Sequence, residues 1–250
     1  MSRIIITAAS RVGCVRTNNE DMVLAYNKMV RSDVYATEFY TDNTDRFTIA
    51  LADGMGGHNA GEVASEETLS NLQFYLGDLP KGMTPEHFRE SMNVWLASIN
   101  QTINSRGLVD AALREMGTTL VAFLYYEGHF FWMNCGDSRL YRLRYGRLEQ
   151  LTTDHSLVNQ NGVKKHSNVI TNCIGAGCKR SYIDFVDITD DFLPGDTYLL
   201  CSDGLNDMVP DTGIQQLLNE QATANANALC EAAIEAGGYD NVSTCVFHVE

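Results

Sequence analysis

The alternation of apolar and polar residues is sharpest in the middle of the chain, where it predicts a block of short strands. Four runs carry the pattern: Thr118 to Tyr126, His129 to Cys135, Ser138 to Arg144 and Arg147 to Leu151. Each is separated from the next by a pair of residues that contains glycine, as in β-hairpins. We therefore expect an antiparallel meander in this region.

Helical periodicity appears on both sides of this block. Thr84-Pro85 resembles an N-cap followed by proline at the first helical position. Apolar residues then recur at helical spacing, at Phe88, Met92, Trp95, Ile99 and Ile103. Residues 59–76 and the alanine-rich residues 222–236 are two further candidate helices. Because strands cluster and helices come in pairs, the pattern predicts an α+β fold with antiparallel sheets rather than regular βαβ winding.

Length and composition fit a single domain over residues 1–250. Hydrophobic residues make up 44% of the 250 positions, enough for a buried core, and no Pro-rich, Gly/Ser-rich or single-charge stretch divides the chain. The apolar stretch Ile4 to Ile6 is too short for a signal peptide, and no run approaches the ~20 residues of a membrane span. We expect a cytoplasmic protein.

The net charge limits the possible partners, and the cysteine pattern argues against a zinc or redox site. The net charge of −14 argues against nucleic acid or an anionic membrane, since both require a basic face. The seven cysteines are odd in number and include no C-x-x-C pair, so we expect most of them to be reduced core residues. We expect a monomer.

Three aspartates stand at the ends of apolar runs. Asp53 follows Phe47-Thr-Ile-Ala-Leu-Ala, Asp203 follows Thr197-Tyr-Leu-Leu-Cys-Ser, and Asp240 comes just before Asn241-Val-Ser-Thr-Cys-Val-Phe. Each Asp-Gly pair alone is more simply a turn. Three carboxylates at the ends of buried strands instead predict a metal site, and the absence of a side chain at Gly54 lets a backbone carbonyl approach a cation.

A second acidic segment lies near the N-terminus, where Arg16, Glu20 and Asp21 fall within six residues. Glu20 and Asp21 could serve the same metal through water molecules. The planar guanidinium of Arg16 suits a bidentate grip on phosphate. The alternative for Arg16 is an ordinary surface ion pair with Glu20.

The loop after Asp53 reads Gly-Met-Gly-Gly-His58-Asn-Ala-Gly61. His58 could protonate a leaving group as a general acid. The loop lacks the G-x-x-x-x-G-K-[ST] pattern of nucleotide-binding loops. An aspartyl-phosphate enzyme would need a second acid two residues after Asp53, where this chain has Met55.

Six segments, in order, form a pattern that resembles the motif set of the metal-dependent protein phosphatase 2C family in its bacterial form. They are Arg16-x-x-Asn-Glu20-Asp21, Asp53-Gly-Met-Gly-Gly-His58, Gly117-Thr-Thr119, Asn134-Cys-Gly-Asp137-Ser-Arg139, Ser202-Asp203-Gly204 and Asp240-Asn241. The resemblance runs from about residue 8 to residue 248. It implies a four-layer α-β-β-α sandwich, with two central antiparallel sheets flanked by helix pairs, and Ser/Thr phosphatase activity with Mn²⁺ or Mg²⁺.

The resemblance also implies individual roles. Asp53 would bridge two metal ions, Gly54 would ligate through its carbonyl, Asp203 and Asp240 would complete the first metal, and Glu20 and Asp21 would act through waters. A water shared by the two ions would attack phosphorus. Arg16 would hold the phosphate, and His58 would protonate the leaving oxygen. Asp137, with Asp203, would hold a possible third ion, although Asp137 equally fits a tight hairpin turn. His155 and the remaining histidines are expected to be structural or surface residues.

One region departs from the family pattern. Bacterial relatives usually carry a longer acidic flap between the segments that correspond to Asp154-His-Ser and Asn172-Cys-Ile-Gly175. Here the flap, at about residues 155–180, is short and locally basic at Lys164 and Lys165. Such a loop should be mobile and should favour acidic residues near the phosphoserine.

The expected function is hydrolysis of phosphoserine and phosphothreonine in proteins, in bacterial signalling, with a Ser/Thr kinase or its targets as partners. Two alternatives stay open. The chain could be a dedicated phosphatase of a single phosphoserine regulatory protein, or a metal-stabilised binding module without turnover.

Overall fold

The computed structural model describes residues 2–56, 60–157, 169–220 and 225–250. Within these ranges the chain forms two six-stranded antiparallel sheets, one three-stranded sheet and helices on both sides. No helix in the described ranges is both long and apolar enough to cross a membrane.

The first sheet joins strands from distant parts of the chain. Its order is β11 (Arg147–Gln150), β10 (Arg139–Arg144), β14 (Thr197–Cys201), β15 (Val242–Val249), β1 (Arg3–Arg11) and β4 (Val34–Tyr40). Ile4 of β1 lies opposite Val249 of β15, so the two ends of the described chain are paired side by side.

The second sheet contains two of the four strands predicted for the meander, Leu120–Tyr126 and His129–Cys135, whereas β10 and β11 lie in the first sheet. The prediction of one continuous meander is therefore wrong, although each of its two outer hairpins forms. The order of the second sheet is β13 (Asp184–Asp187), β9 (His129–Cys135), β8 (Leu120–Tyr126), β5 (Arg46–Ala52), β2 (Met22–Ala25) and β3 (Lys28–Val30). A small third sheet has the order β12 (Ile174–Gly175), β7 (Gly117–Thr118) and β6 (Gly54–Met55).

Helices cover the outer faces of the two large sheets. Among the described residues, the long helices are α1 (Gly61–Asp78) and α2 (Pro85–Val109), and the shorter helices are α3 (Asp203–Asn206), α4 (Asp211–Glu220) and α5 (Ala226–Glu235). Single 3₁₀ turns span Thr41–Asn43, Ala111–Leu113 and Thr189–Asp191. Helix α2 begins as predicted, since the Thr84 side chain accepts a hydrogen bond from the backbone N–H of His87 at 3.3 Å and Pro85 stands at the first position.

The buried apolar side chains form three layers. One layer, which includes Ile6, Phe123 and Phe247, fills the space between the two large sheets. A second, which includes Trp95, packs α1 and α2 against the second sheet. A third, which includes Leu229, packs α3 to α5 against the first sheet. This is the predicted four-layer α-β-β-α sandwich, and the fold class is confirmed.

Two further features of the strands differ from the sequence prediction. The run expected from Thr118 to Tyr126 is divided at Thr119, because the backbone N–H of Thr119 donates to the carbonyl of Asp53 at 2.9 Å and β7 then pairs with β6 instead of continuing β8. Strand β1 is nine residues long, although only Ile4 to Ile6 form an apolar run. Its second half is polar or small, so hydrophobicity alone does not reveal it.

The cysteines match the prediction. All seven are free thiols; Cys135, Cys201, Cys230 and Cys245 are buried, Cys173 and Cys178 are partly buried, and Cys14 is exposed.

Substitution of Phe88 tests the packing of α2. Phe88 is fully buried, with its ring centroid 4.8 Å from that of Tyr126 and 4.9 Å from that of Phe131. Phe88→Ala should lower the free energy of unfolding by ~3–5 kcal/mol, because it removes apolar contacts and leaves a cavity. Phe74→Ala is the control, since Phe74 is 76% exposed on α1 and its loss should change stability by no more than ~0.5 kcal/mol. Urea denaturation that gives equal changes for the two variants would contradict this packing.

Candidate metal centre

Five aspartates from distant parts of the sequence lie beside one another at one edge of the two large sheets. The charges that oppose ionisation of Asp53 are those of Asp21, Asp203, Asp137 and Asp240, in decreasing order of effect after burial itself. Each stands at or next to the end of a strand or at the start of α3. The structure therefore brings together the three aspartates at the ends of apolar runs, Asp21 of the N-terminal acidic segment and Asp137 of the family motifs.

Close backbone packing at two glycines makes this convergence possible. A Cβ atom at Gly54 would lie 2.3 Å from the carbonyl oxygen of Gly61 and 2.4 Å from that of Glu20. A Cβ atom at Gly204 would lie 2.0 Å from the carbonyl oxygen of Asn241. Only glycine fits at either position. The glycines of the two Asp-Gly sequences thus allow the backbones of the acidic loops to pack in direct contact. An isolated turn would not require this close packing.

Asn241 fastens the N-terminal acidic segment to the start of β15. Its side-chain oxygen accepts a hydrogen bond from the backbone N–H of Glu20 at 2.8 Å. Its side-chain nitrogen donates to the carbonyl oxygens of Val12 and Asn18 at 3.0 and 2.8 Å. One buried amide therefore fixes Glu20 relative to the neighbouring Asp240.

The backbone of Asp53 is held by two threonines. The carbonyl oxygen of Asp53 accepts hydrogen bonds from the Thr118 hydroxyl at 2.8 Å and from the Thr119 N–H at 2.9 Å, and the Asp53 N–H donates to the Thr119 hydroxyl at 3.1 Å. The Thr119 hydroxyl also lies 2.7 Å from that of Ser138. The threonines of the family motif thus tie Asp53 to the turn that carries Asp137.

Asp21 is completely buried and only partly satisfied. Its Oδ2 accepts a hydrogen bond from the Ser202 hydroxyl at 2.8 Å, whereas its Oδ1 is buried without a hydrogen-bond partner. Burial raises the pKa of Asp21 to about 6. An unpartnered buried carboxylate oxygen is costly. A nearby cation, or a water bound to one, would satisfy it.

The electrostatics of the other aspartates agree with a cation site. Burial, and then repulsion from Asp137, raise the pKa of Asp203 to about 8. Burial, and then repulsion from Asp154, raise the pKa of Asp137 to about 6. Hard divalent cations prefer oxygen ligands of this type and would remove the repulsion. Within the described ranges, however, no three Asp, Glu, His or Cys side chains stand in a geometry that could hold a metal ion.

Arg16 pairs with a different partner from the one considered in the sequence analysis. Its Nη2 lies 2.6 Å from Oδ2 of Asp240, and the Arg16 side chain is 54% exposed. The alternative considered for Arg16, a surface ion pair with Glu20, is therefore wrong in its partner. Burial, and then the nearby Glu62, raise the pKa of Glu20. The contact between Arg16 and Asp240 places the positive charge of Arg16 at the solvent-facing side of the acidic cluster, which is its mouth.

His155 is structural, as predicted. The ring is 6% exposed; its Nδ1 accepts from the Gly136 N–H at 3.1 Å and lies 2.8 Å from the Asn172 amide nitrogen, while its Nε2 lies 3.0 Å from Oδ2 of Asp184. This arrangement fixes the turn next to Asp137. Three other predicted residues, His58, Lys164 and Lys165, lie outside the described residues.

A buried polar network beneath the cluster was missed by sequence reasoning. The Ser10 hydroxyl accepts hydrogen bonds from the Asn19 amide at 2.8 Å and from the Ser243 hydroxyl at 2.8 Å. The Ser243 N–H donates to the Ser202 hydroxyl at 3.0 Å, and that hydroxyl donates to Asp21, so the network reaches the acidic cluster. The only signal in the sequence was a set of serines within apolar strands, which does not identify their partners.

Comparisons with known proteins point to one family. Residues 25–235 match the family model described as Protein phosphatase 2C. The serine/threonine phosphatase stp of Listeria monocytogenes is 36% identical over 220 residues, which cover 81% of this chain and 84% of that relative.

The serine/threonine protein phosphatase PstP of Mycobacterium tuberculosis is 33% identical over 250 residues, covering 97% of this chain and 44% of that relative. This chain thus spans less than half the length of that relative. The crystal structure of the catalytic domain of PstP in complex with two manganese ions superposes on this chain with a TM-score of 0.78 and 32% sequence identity. The match covers 100% of this chain and 99% of the PstP chain in that structure.

The repulsion within the cluster predicts a pH dependence of stability in the presence of chelator. The pKa values of Asp21, Asp53 and Asp203 are raised by folding. The folded state therefore binds more protons than the unfolded state between about pH 4 and pH 8, and the free energy of unfolding should fall as pH rises through this window. Asp203→Asn should reduce the fall between pH 5.5 and pH 8 by about 1 kcal/mol or more.

The control is Asp78→Asn, which removes an exposed carboxylate at the end of α1. Urea titrations in which Asp203→Asn keeps the wild-type pH slope would contradict the repulsion.

Proposed function

We propose that this chain, which belongs to the protein phosphatase 2C family, is a Mn²⁺- or Mg²⁺-dependent phosphatase that hydrolyses phosphoserine and phosphothreonine in proteins. The observation that carries the proposal is the cluster of five mutually repelling aspartates with Arg16 at its mouth. The two manganese ions in the PstP catalytic domain support the choice of metal.

The residues that would hold the metals are those of the cluster. Asp53 and the carbonyl of Gly54 would bind at the centre, Asp203 and Asp240 would complete the first ion, and Glu20 and Asp21 would contribute through waters. Asp137 and Asp203 would hold a possible third ion. Asp137 is the neighbouring charge that, after burial, most raises the pKa of Asp203. When bound, two divalent ions would activate a shared water for in-line attack on phosphorus.

Arg16 would bind the phosphoryl oxygens. Its guanidinium has several N–H donors, of which the 2.6 Å contact with Asp240 uses one. The half-exposed side chain can therefore grip a phosphate without leaving Asp240. This contact would also keep the positive charge of Arg16 close to the metal ligands and so orient the substrate relative to them.

His58 would protonate the departing serine or threonine oxygen. The proposal relies on its position in the loop after Asp53 and Gly54. An alkoxide is a poor leaving group, so a general acid should matter most for alkyl phosphates.

Substrates would be phosphorylated proteins, including a Ser/Thr kinase or its targets. The alternative of a dedicated phosphatase acting on one regulator keeps the same chemistry and differs only in selectivity. The alternative of a binding module without turnover is weakened by the presence of every acidic residue of the family pattern.

Metal dependence is the first test. Hydrolysis of p-nitrophenyl phosphate should require added Mn²⁺ or Mg²⁺ and should stop in EDTA. Asp240→Asn should lower kcat by at least ~10²-fold and weaken Mn²⁺ binding measured by calorimetry, because it replaces an anionic ligand with a neutral one. Asp78→Asn serves as the exposed control. Full activity in excess chelator would exclude the metal mechanism, and metal binding without any turnover would favour the binding module.

The roles of Arg16 and His58 separate kinetically. Arg16→Ala should mainly raise KM for phosphopeptides, since it removes a charge-assisted contact with phosphate. His58→Ala should lower kcat for phosphoserine peptides by ~10²–10⁴-fold and much less for p-nitrophenyl phosphate, whose leaving group is acidic. Equal losses of kcat on both substrates would rule out His58 as the general acid.

A further inference from the structure

A groove of about 830 Å³ lies outside the acidic cluster. Its walls are the C-terminal half of α2, residues 113–116 and residues 177–181. The floor is formed by the buried side chains of Ile103 and Met116, and the exposed Leu108 stands on one wall. The volume lies within the range of ligand-binding sites, and the lining offers apolar contacts for one or two inserted side chains.

The rim of the groove is positively charged on a strongly acidic protein. Arg114, Lys179 and Arg180 line it and are exposed. Within the described ranges none of these three forms an ion pair with a carboxylate. Eight other basic residues do: Arg3, Arg16, Arg31, Lys81, Arg106, Arg139, Arg142 and Arg144. Among the described residues of the lining, exposed Glu115 is the one carboxylate, so the three cations exceed the acidic charge there by two. This local positive excess, on a chain of net charge −14, indicates an acidic partner.

The groove is rigidly built. Asn100 and Asn104, one turn apart on α2, both donate to the carbonyl oxygen of Cys178 at 3.0 Å. Their side-chain oxygens accept from the N–H groups of Gly175 and Gly177 at 2.8 and 2.9 Å. These bonds fix residues 175–178 against the helix. A preformed groove loses little entropy when it binds.

Two wall segments also carry unusual backbone conformations. Glu115 and Ala176 adopt φ values of 64° and 47°, in the left-handed region that non-glycine residues rarely enter. The N–H of Ala176 donates to the carbonyl oxygen of Met116 at 2.7 Å and holds the two segments together. Conformations of this kind occur preferentially at binding sites.

The groove is connected to the acidic cluster through the small third sheet. Met116 is three residues from Thr119, which bonds to the backbone of Asp53, so this span is at most roughly 11 Å. The groove and the acidic cluster are therefore separated by one short buried segment, residues 116–119.

We propose that this groove docks an acidic segment of the phosphoprotein substrate, with one or two apolar side chains inserted between α2 and residues 177–181 and with flanking carboxylates paired to Arg114, Lys179 and Arg180. The inference extends the proposed function from the reaction to the selection of its substrates. The three cations are spread over two segments, which suits a peptide with several carboxylates better than a small ligand with one.

Binding can be measured without turnover. The probe is a fluorescein-labelled peptide with Leu-Phe flanked by two glutamates on each side, followed by fluorescence anisotropy in EDTA. Lys179→Glu/Arg180→Glu should raise Kd by about fivefold or more, because two attractions become repulsions. The matched control is Lys28→Glu/Arg147→Glu, which makes the same charge change at two exposed positions outside the groove and should change Kd less than about twofold.

The apolar contact has its own pair of variants. Leu108 lines the groove and is 88% exposed, so its side chain is open to an apolar contact with the peptide. Leu108→Asp should weaken binding because it removes that contact. Val94→Asp is the control, because Val94 is 66% exposed on the same helix but does not line the groove. Both positions are on the surface, so the fold should tolerate both changes. Equal effects of the two variants would overturn the proposal, as would equal binding of a peptide with lysine in place of glutamate.

Kinetics then separate docking from catalysis. A phosphoserine peptide joined to the acidic segment should show a KM about fivefold or more below that of the same peptide without it, and Lys179→Glu/Arg180→Glu should abolish the difference. Hydrolysis of p-nitrophenyl phosphate should not change. Turnover without peptide binding would refute the docking site and leave the proposed function intact. Peptide binding without any turnover would refute the proposed function and leave the groove as a docking site. Binding of a small anionic amphiphile in the groove, without binding of the peptide, would also overturn the proposal.

Discussion

Mutual repulsion among buried carboxylates is the constraint on which the rest of this structure depends. Asp21, Asp53 and Asp203 are held close together although burial and neighbouring charge oppose their ionisation. Such a cluster persists only if the surrounding structure enforces it. The enforcement comes from neutral groups: glycines that let backbones touch, the Asn241 amide, and the hydroxyls of Thr118, Thr119 and Ser202. The hydrophobic layers supply the stability that the cluster removes.

Two local positive sites stand out on the otherwise acidic surface of the protein. The acidic cluster has Arg16 at its mouth, and the groove beside α2 carries Arg114, Lys179 and Arg180. On a chain of net charge −14, these are local positive sites within a negative field. An anionic substrate would be repelled by most of the surface and attracted at these two places. Charge thus offers a physical means of orienting a phosphoprotein before any specific contact forms.

Strong local signals made much of the fold and part of the site predictable from sequence. Two hairpins of the central block, the Thr84 cap and the aspartates at strand ends follow from periodicity and turn chemistry, and the family expected from the six motifs is confirmed. The division of the block between two sheets does not follow from them, because both hairpins carry the same alternating pattern. Other features depend on tertiary partners. Ser10 gives no signal until Asn19 and Ser243 are known to meet it. Sequence proximity favoured Glu20 as the partner of Arg16, whereas the fold supplies Asp240 from the other end of the chain.

The position of β15 has a kinetic consequence. This strand lies between β14 and β1 in the first sheet, and Asp240 stands just before it. The acidic residues therefore meet only after pairings between segments more than two hundred residues apart have formed. Contacts of such long range form late in folding. Repulsion that is absent from the transition state affects the rate of unfolding rather than the rate of folding. Without a bound cation, the protein should fold about as fast as it does with the cation, but its native state should unfold faster.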